Sequence, residues 1–224
     1  MSLHLEGLLL VNKPKGITSH DVVDVVRKKL KIRKVGHAGT LDPLAEGLLI
    51  VLVGGYTRLF PKFVKFDKKY FGVLKLGEVT RTGDSQSEVI KSSSYENVSE
   101  QAIREAFSLF EGDIEQIPPM VSALRVKGQR LYNLARRGIE VDRKPRSIKI
   151  HSLEVSNINL PYVEFCVHCS KGTYVRKLAE DIGAKIGVGA HMVKILRLGI
   201  GPFELDKAVD LDNINENHLQ KITL

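Results

Sequence analysis

Solid apolar runs and alternating stretches divide this chain into its elements. Leu8 to Val11 is a short, wholly apolar run that predicts a strand, closed by the turn Asn12-Lys13-Pro14-Lys15-Gly16. Thr18 or Ser19 then caps a helix, with Asp21 in its first turn and Val22, Val25, Val26 and Leu30 on its buried face. Leu48 to Val53 is a second solid apolar strand, and residues 69–77 read as another, with Tyr70, Leu74 and Leu76 on one face. Residues 80–97 are polar and loop-like. Ser99 caps a helix whose stripe is Ile103, Ala106, Phe107 and Phe110, and Gly112 is expected to end it. Ile148 to Val155 and Tyr162 to Cys169 are β-like and suited to pair as a hairpin. Ser170-Lys171-Gly172-Thr173 leads into a helix with Leu178, Ile182 and Ile186 at fourfold spacing, closed by Gly187. Arg176 lies off that stripe and is not expected to serve the helix's own packing. After Gly201-Pro202-Phe203 the chain is polar and thin in apolar residues.

Strands outnumber helices, and neighbouring strands are often joined without helices. The predicted class is therefore α+β with a mixed, largely antiparallel sheet, not alternating βαβ units. No internal repeat, low-complexity tract or linker interrupts residues 1–224, so one domain is expected.

With 224 residues, 43% of them hydrophobic and 27% charged, the chain is able to bury a sizeable core. No apolar run approaches the roughly 18 residues of a membrane span, and the N-terminus carries no secretory pattern. A cytoplasmic location is expected. Lys and Arg exceed Asp and Glu by 34 to 26, a net charge of +8 that suits an acidic partner, most commonly nucleic acid. The most basic stretch is residues 113–147. It holds Pro118-Pro119, Arg125, Lys127, Arg130, Arg136, Arg137, Arg143, Lys144 and Arg146, with Tyr132 among them. Such an insertion is able to track a phosphate backbone; its plainer reading is a solvated surface excursion.

Cys166 and Cys169 have the C-x-x-C spacing of redox and zinc sites. Their segment alternates like a strand, which points residues three apart to opposite faces, and no second ligand pair stands at a suitable spacing. Two buried or half-buried thiols are expected instead.

One loop invites a chemical reading. Residues 36–47, Gly-His-Ala-Gly-Thr-Leu-Asp-Pro-Leu-Ala-Glu-Gly, lie between a helix and an apolar strand. Gly36, Gly39 and Gly47 allow backbone angles that other residues resist, and Pro43 pushes Asp42 toward an extended conformation. The plain alternative is that Asp42-Pro43 starts a turn. No glycine-rich nucleotide loop, clustered histidines or nucleophile elbow accompanies it. If the chain is an enzyme, an aspartate working without metal or organic cofactor is the expected toolkit.

Taken in order, these segments resemble the TruB-type family of bacterial pseudouridine synthases, nearly to Phe203. Gly7 to Val23 resembles the family's first motif through Asn12-Lys13-Pro14 and Thr18-Ser19-His20-Asp21. Gly36 to Gly47 resembles its catalytic motif, which places the essential aspartate at Asp42 and a nearby histidine at His37. Lys69-Tyr70 resembles the motif whose tyrosine stacks on the target base, and Thr80 to Asp84 a T-D-T-x-D motif ending in Asp84. Gln116 to Arg146 resembles the loop that grips the T-arm of tRNA. Cys169 to Arg176 resembles the motif whose arginine pairs with the catalytic aspartate. The chain departs from the pattern at Arg81 for Asp, Val121 for Tyr, Arg125 for Lys, and Ile195-Leu196-Arg197 for Leu-Arg-Arg. No C-terminal PUA-type domain is expected, because residues 204–224 are too few to build one.

The resemblance implies isomerisation of the uridine at position 55 in the T-loop of tRNA, by base flipping and without cofactor or metal. It implies Asp42 as the group that starts the reaction, Arg176 as its ion-pair partner and Tyr70 as the stacking platform. Ile195 would wall the base, His37 would fill the space it leaves or touch a phosphate, Asp84 would orient a basic side chain, and Lys13 and Arg130 would contact phosphates. The expected partner is tRNA, with no obligate protein partner, and the expected state is a monomer. Three readings compete: a non-catalytic RNA-binding module on the same scaffold, a guide-RNA-dependent relative, and an unrelated hydrolase using Asp42.

Overall fold

The structure is a computed structural model that describes residues 5–122, 124–126 and 128–222; for Arg125, Arg130 and Arg136 it describes the backbone alone. The elements, in chain order, are β1 (Gly7–Lys13), α1 (Ser19–Leu30), β2 (Val35–Ala38), β3 (Glu46–Val53), α2 (Phe60–Phe63), β4 (Lys68–Leu76), β5 (Glu78–Thr80) and β6 (Val89–Ser92). Then come α3 (Glu100–Ser108), β7 (Gly112–Gln116), β8 (Arg125–Val126), β9 (Gln129–Arg130), α4 (Leu131–Arg136), β10 (Arg146–Asn159) and β11 (Tyr162–Cys169). The last are α5 (Val175–Ile186), β12 (Ala190–Ile200), β13 (Phe203–Glu204) and β14 (Val209–Asp210). Pairing is mixed and largely antiparallel. The β1/β3, β2/β3, β7/β10, β10/β11 and β12/β13 ladders are antiparallel, and β1/β14 and β3/β12 are parallel. This is the α+β class expected. Among the described residues no helix is long and apolar enough to cross a membrane.

The chain forms two compact units, whose boundaries fall between Tyr70 and Phe71 and between Ile195 and Leu196. In the first unit β1 and β3 are covered on both faces, which is why they read as solid apolar runs and not as alternation. Leu9, Val11, Leu49, Val51 and Val53 pack with Val22, Val23, Val26 and Leu30 of α1. Leu8, Leu10, Leu48, Ile50 and Leu52 pack with Phe63 and Ile200 on the other side. Thr18 caps α1 with a capping box, its side chain accepting from Asp21 N while the Asp21 carboxylate accepts from Thr18 N. Residues after 203 are more engaged than their polarity implied. Val209 pairs with Val11, Gln220 bonds Leu8 in both directions, and Ile214 is buried in the α1 core.

In the second unit, β10 and β11 form the expected hairpin, with β7 on the outer edge of β10. Gly187 ends α5 in a left-handed conformation. Two expectations change here. The polar stretch 80–97 contains a strand, β6, paired to β5, and every residue of β6 is exposed, so no apolar face announced it. The helix capped by Ser99 ends at Ser108 with Leu109 as its cap, and Gly112 instead opens β7 at φ 91°. The two thiols take opposite faces of β11 as expected, but Cys166 is exposed and only Cys169 is buried.

Candidate active site

In the first unit the Asp42 loop is shorter than the sequence suggested. Val35–Ala38 is a strand against β3, with His37 opposite Val51, so the loop proper is residues 39–45. Gly36 therefore has no special backbone role; Gly39 (φ 96°) and Gly47 (φ 98°) do. At Gly47 a Cβ would also stand 2.5 Å from the carbonyl oxygen of Arg197, its parallel partner on β12. Asp42 is half-buried, and its carbonyl accepts from Ala45 N at 3.0 Å, so Asp42-Pro43 does open a turn.

That loop is tied down on both sides of Asp42. Before it, the buried Ser19 hydroxyl donates to Leu41 O at 3.0 Å and accepts from Leu41 N at 2.8 Å. After it, Gly16 N donates to Pro43 O at 2.8 Å. Arg197, 1% exposed, ties the start of the loop to the strand after it: Nε donates to Leu48 O of β3 at 2.7 Å and Nη2 to Gly39 O at 3.0 Å.

Lys13 is fully buried, and its ammonium donates to Pro14 O and Ile17 O, both at 2.8 Å. The expected phosphate contact does not fit an ammonium turned inward; the turn wraps it. Burial lowers its pKa to about 8, against the pull of Glu46 and Asp42, while the Arg197 charge lowers it further. His37 is half-buried, with Nδ1 in the interior and, among the described residues, without a hydrogen-bond partner. Burial, then the charges of Arg197 and His20, lowers its pKa to about 4, so at neutral pH it is an uncharged ring and not a phosphate-binding cation. Tyr70 is half-buried on β4, where Lys69 pairs with Glu204 at 3.0 Å.

In the second unit the centre is Arg176, on the first turn of α5 and 4% exposed. Its Nη1 donates to Thr82 O at 2.9 Å and Asp84 Oδ2 at 3.2 Å, and its Nη2 to Val121 O at 2.8 Å. An exposed helix cation, the ordinary reading of such a residue, is excluded. Asp84 is itself buried, and its other oxygen accepts from Thr82 Oγ1 and Gln86 N, so one carboxylate shapes the loop and holds the guanidinium. Gln116, at the end of β7 and 2% exposed, fixes the start of α5. It accepts from Tyr174 N at 2.8 Å and donates to Tyr174 O at 3.2 Å. Ile195 is buried at the end of this unit. Arg130 contributes its backbone to β9, and its side chain lies outside the described residues.

The structure thus gathers Lys13, His37 and Asp42 in one unit and Asp84 and Arg176 in the other. Sequence reasoning missed Ser19 as a tether, Gln116 and Arg197. Gln116 and Arg197 act through partners far away in sequence. Ser19 stood inside a motif but read only as a helix cap.

Comparison with known proteins gives this arrangement its class. The model for the N-terminal domain of TruB family pseudouridylate synthases matches residues 27–175, and that for the C-terminal domain of tRNA pseudouridylate synthase B matches residues 176–222. The chain is 46% identical to tRNA pseudouridine synthase B of Clostridium tetani (strain Massachusetts / E88), over 98% of this chain and 76% of that protein. It is 49% identical to the protein of the same name from Protochlamydia amoebophila (strain UWE25), over 92% and 79% respectively. Among solved structures it is similar to a chain of a Cbf5-Nop10-Gar1 complex, with a TM-score of 0.74 and 31% identity. That match covers 94% of this chain and 54% of the other, so the chain spans about half its length. The family match and the fold together define a pseudouridylate synthase. The chain belongs to the TruB family.

Proposed function

We propose that this protein isomerises uridine to pseudouridine at position 55 in the T-loop of tRNA, in the cytoplasm, with Asp42 as the catalytic carboxylate. In that reaction the N1–C1′ bond breaks, the base turns, and a C5–C1′ bond forms; the C5 proton leaves and N1 gains one. No atom is gained or lost. The observation that carries the reading is the way the Asp42 loop is held. A half-buried carboxylate, tethered through the residues on either side of it and braced by a buried arginine, is preorganised in the manner that positioning catalysis requires. The relatives named tRNA pseudouridine synthase B, at 43–49% identity, support tRNA as the substrate.

In this reading the target base leaves its stack before Asp42 reaches it. Tyr70 stacks on the base and Ile195 walls it. Arg176, held in orientation by Asp84 and the Thr82 and Val121 carbonyls, serves as the catalytic cation. His37, uncharged, serves as a neutral surface for the space the base vacates. The stretch 113–147, Arg130 included, grips the T-arm.

The test is incubation of the purified protein with an unmodified tRNA transcript in EDTA, with pseudouridine mapped at single-nucleotide resolution. Conversion confined to the T-loop uridine is expected. Measurable tRNA binding with no conversion would contradict the reading and favour a non-catalytic RNA-binding role.

A further inference from the structure

Residues 27–34, Arg-Lys-Lys-Leu-Lys-Ile-Arg-Lys, place six cations in eight positions at the end of α1 and on the turn beyond it. Two of them have structural partners. Arg27 donates Nη1 to Asp24 Oδ1 at 2.8 Å and Nη2 to Val35 O at 3.0 Å, and Lys29 donates Nζ to Asp212 O at 2.5 Å. Lys28, Lys31, Arg33 and Lys34 are exposed, and among the described residues no acidic side chain pairs with them. Arg27, Lys28, Lys31, Ile32 and Arg33 line a shallow, open depression of about 380 Å³.

Helix stability accounts for only part of this cluster. Arg27, Lys28 and Lys29 sit in the last turn of α1, where cations complement the helix dipole. That effect fades within the last turn, and Arg33 and Lys34 lie beyond it. Unpaired like charges so close together repel one another in the isolated protein, and a polyanion relieves that repulsion. A membrane surface is the poorer partner. None of the exposed large hydrophobic side chains lies within residues 27–34, and the apolar stripe of α1 is buried in the core.

The position of the cluster suits a nucleic acid. The first residue of α1, Ser19, is bonded to Leu41 beside Asp42, and the cluster lies at the other end of the same helix. Twelve helical residues at about 1.5 Å each set the two roughly 18 Å apart on a rigid element.

We propose that Lys28, Lys31, Arg33 and Lys34 form a phosphate-backbone contact for the substrate RNA, in addition to the basic stretch 113–147, with α1 fixing its spacing from Asp42. The RNA is tRNA on the reading given above, on which this proposal rests for its substrate.

The test is the salt dependence of tRNA-transcript binding by the full chain carrying K28Q, K31N, R33Q and K34Q together. A control carries K91Q, K149Q, K185Q and K221Q, four exposed cations scattered elsewhere. Each lost phosphate contact flattens the plot of log affinity against log salt by about 0.7–0.9. The cluster variant is therefore expected to lose about 3 from the slope and to bind at least about tenfold more weakly at low salt. The control should keep the wild-type slope to within about 1. Should the fourfold variant fail to fold, Arg33→Gln alone decides, with an expected loss of about 1. Equal slopes for cluster variant and wild type, or equal losses in cluster variant and control, would overturn the proposal. So would a loss confined to binding of anionic-lipid vesicles. Binding requires no turnover, so a wild-type protein that binds but does not isomerise would end the synthase reading while the slope still decided this one.

Discussion

The hydroxyl of Ser19 bonds both backbone groups of Leu41, at 2.8 and 3.0 Å, and so ties the start of α1 to the residue before Asp42. Both residues are buried, so no water replaces those bonds if the hydroxyl is lost.

Ser19→Ala leaves the N–H and C=O of Leu41 unpaired in the interior. A loss of about 1–3 kcal/mol of stability is expected, with turnover falling further than tRNA affinity because the loop, not the RNA surface, is loosened. Denaturant melts and single-turnover assays on one preparation check both. Unchanged turnover would mean that the tether does not position Asp42.

Arg197 spans Gly39 O and Leu48 O with two different nitrogens of one planar group. Lysine carries the charge but not the fork. Arg197→Lys is therefore expected to lower kcat by about tenfold or more, since small misplacements of a catalytic group are expensive, with the tRNA dissociation constant held within about twofold. A purely structural role would show instead as a lower melting temperature at constant kcat.

Asp84→Ala removes a buried ion-pair partner of the Arg176 guanidinium, leaving the Thr82 and Val121 carbonyls and the Glu180 charge nearby. Breaking a buried pair from one side costs about 3–5 kcal/mol. Asp84→Asn, which keeps an oxygen for Thr82 and Gln86, is expected to cost less. Chemical denaturation of the two variants side by side checks the order, and a reversed order would contradict the assignment of Asp84 as the holder of Arg176.

His37 gives a pH signature. Its pKa falls from 6.5 to about 4 on folding, through burial first and the Arg197 and His20 charges second. Between those values the unfolded chain binds a proton that the folded chain does not, so stability is full above about pH 6.5 and is lost as pH falls toward 4. The shift corresponds to at most about 3 kcal/mol. His37→Gln should flatten that part of the stability curve. Parallel curves for wild type and variant from pH 7 to 4 would contradict the burial argument.

Much of the framework was legible because its signals are local. The Thr18–Asp21 box, the solid runs of β1 and β3, the β10/β11 alternation and the Gly187 cap each lie within a few residues of what they determine. What was not legible depends on distant partners. Val35–Ala38 has little strand pattern of its own, and only β3 makes it a strand. Arg176 looked spare on its helix, and its burial comes from Thr82, Asp84 and Val121. Lys13 looked like a surface cation because nothing in its composition says that the turn after it closes over the ammonium. Arg197 reaches the Asp42 loop only through the parallel pairing of β12 with β3.

Asp42→Asn decides whether Asp42 starts the isomerisation. The substitution keeps the shape of the side chain, and the carbonyl bond from Ala45 is made by the backbone. With an unmodified tRNA transcript, the variant is expected to bind within a few-fold of wild type and to form no pseudouridine at the T-loop uridine. Pseudouridine formed there at the wild-type rate would contradict that role for Asp42.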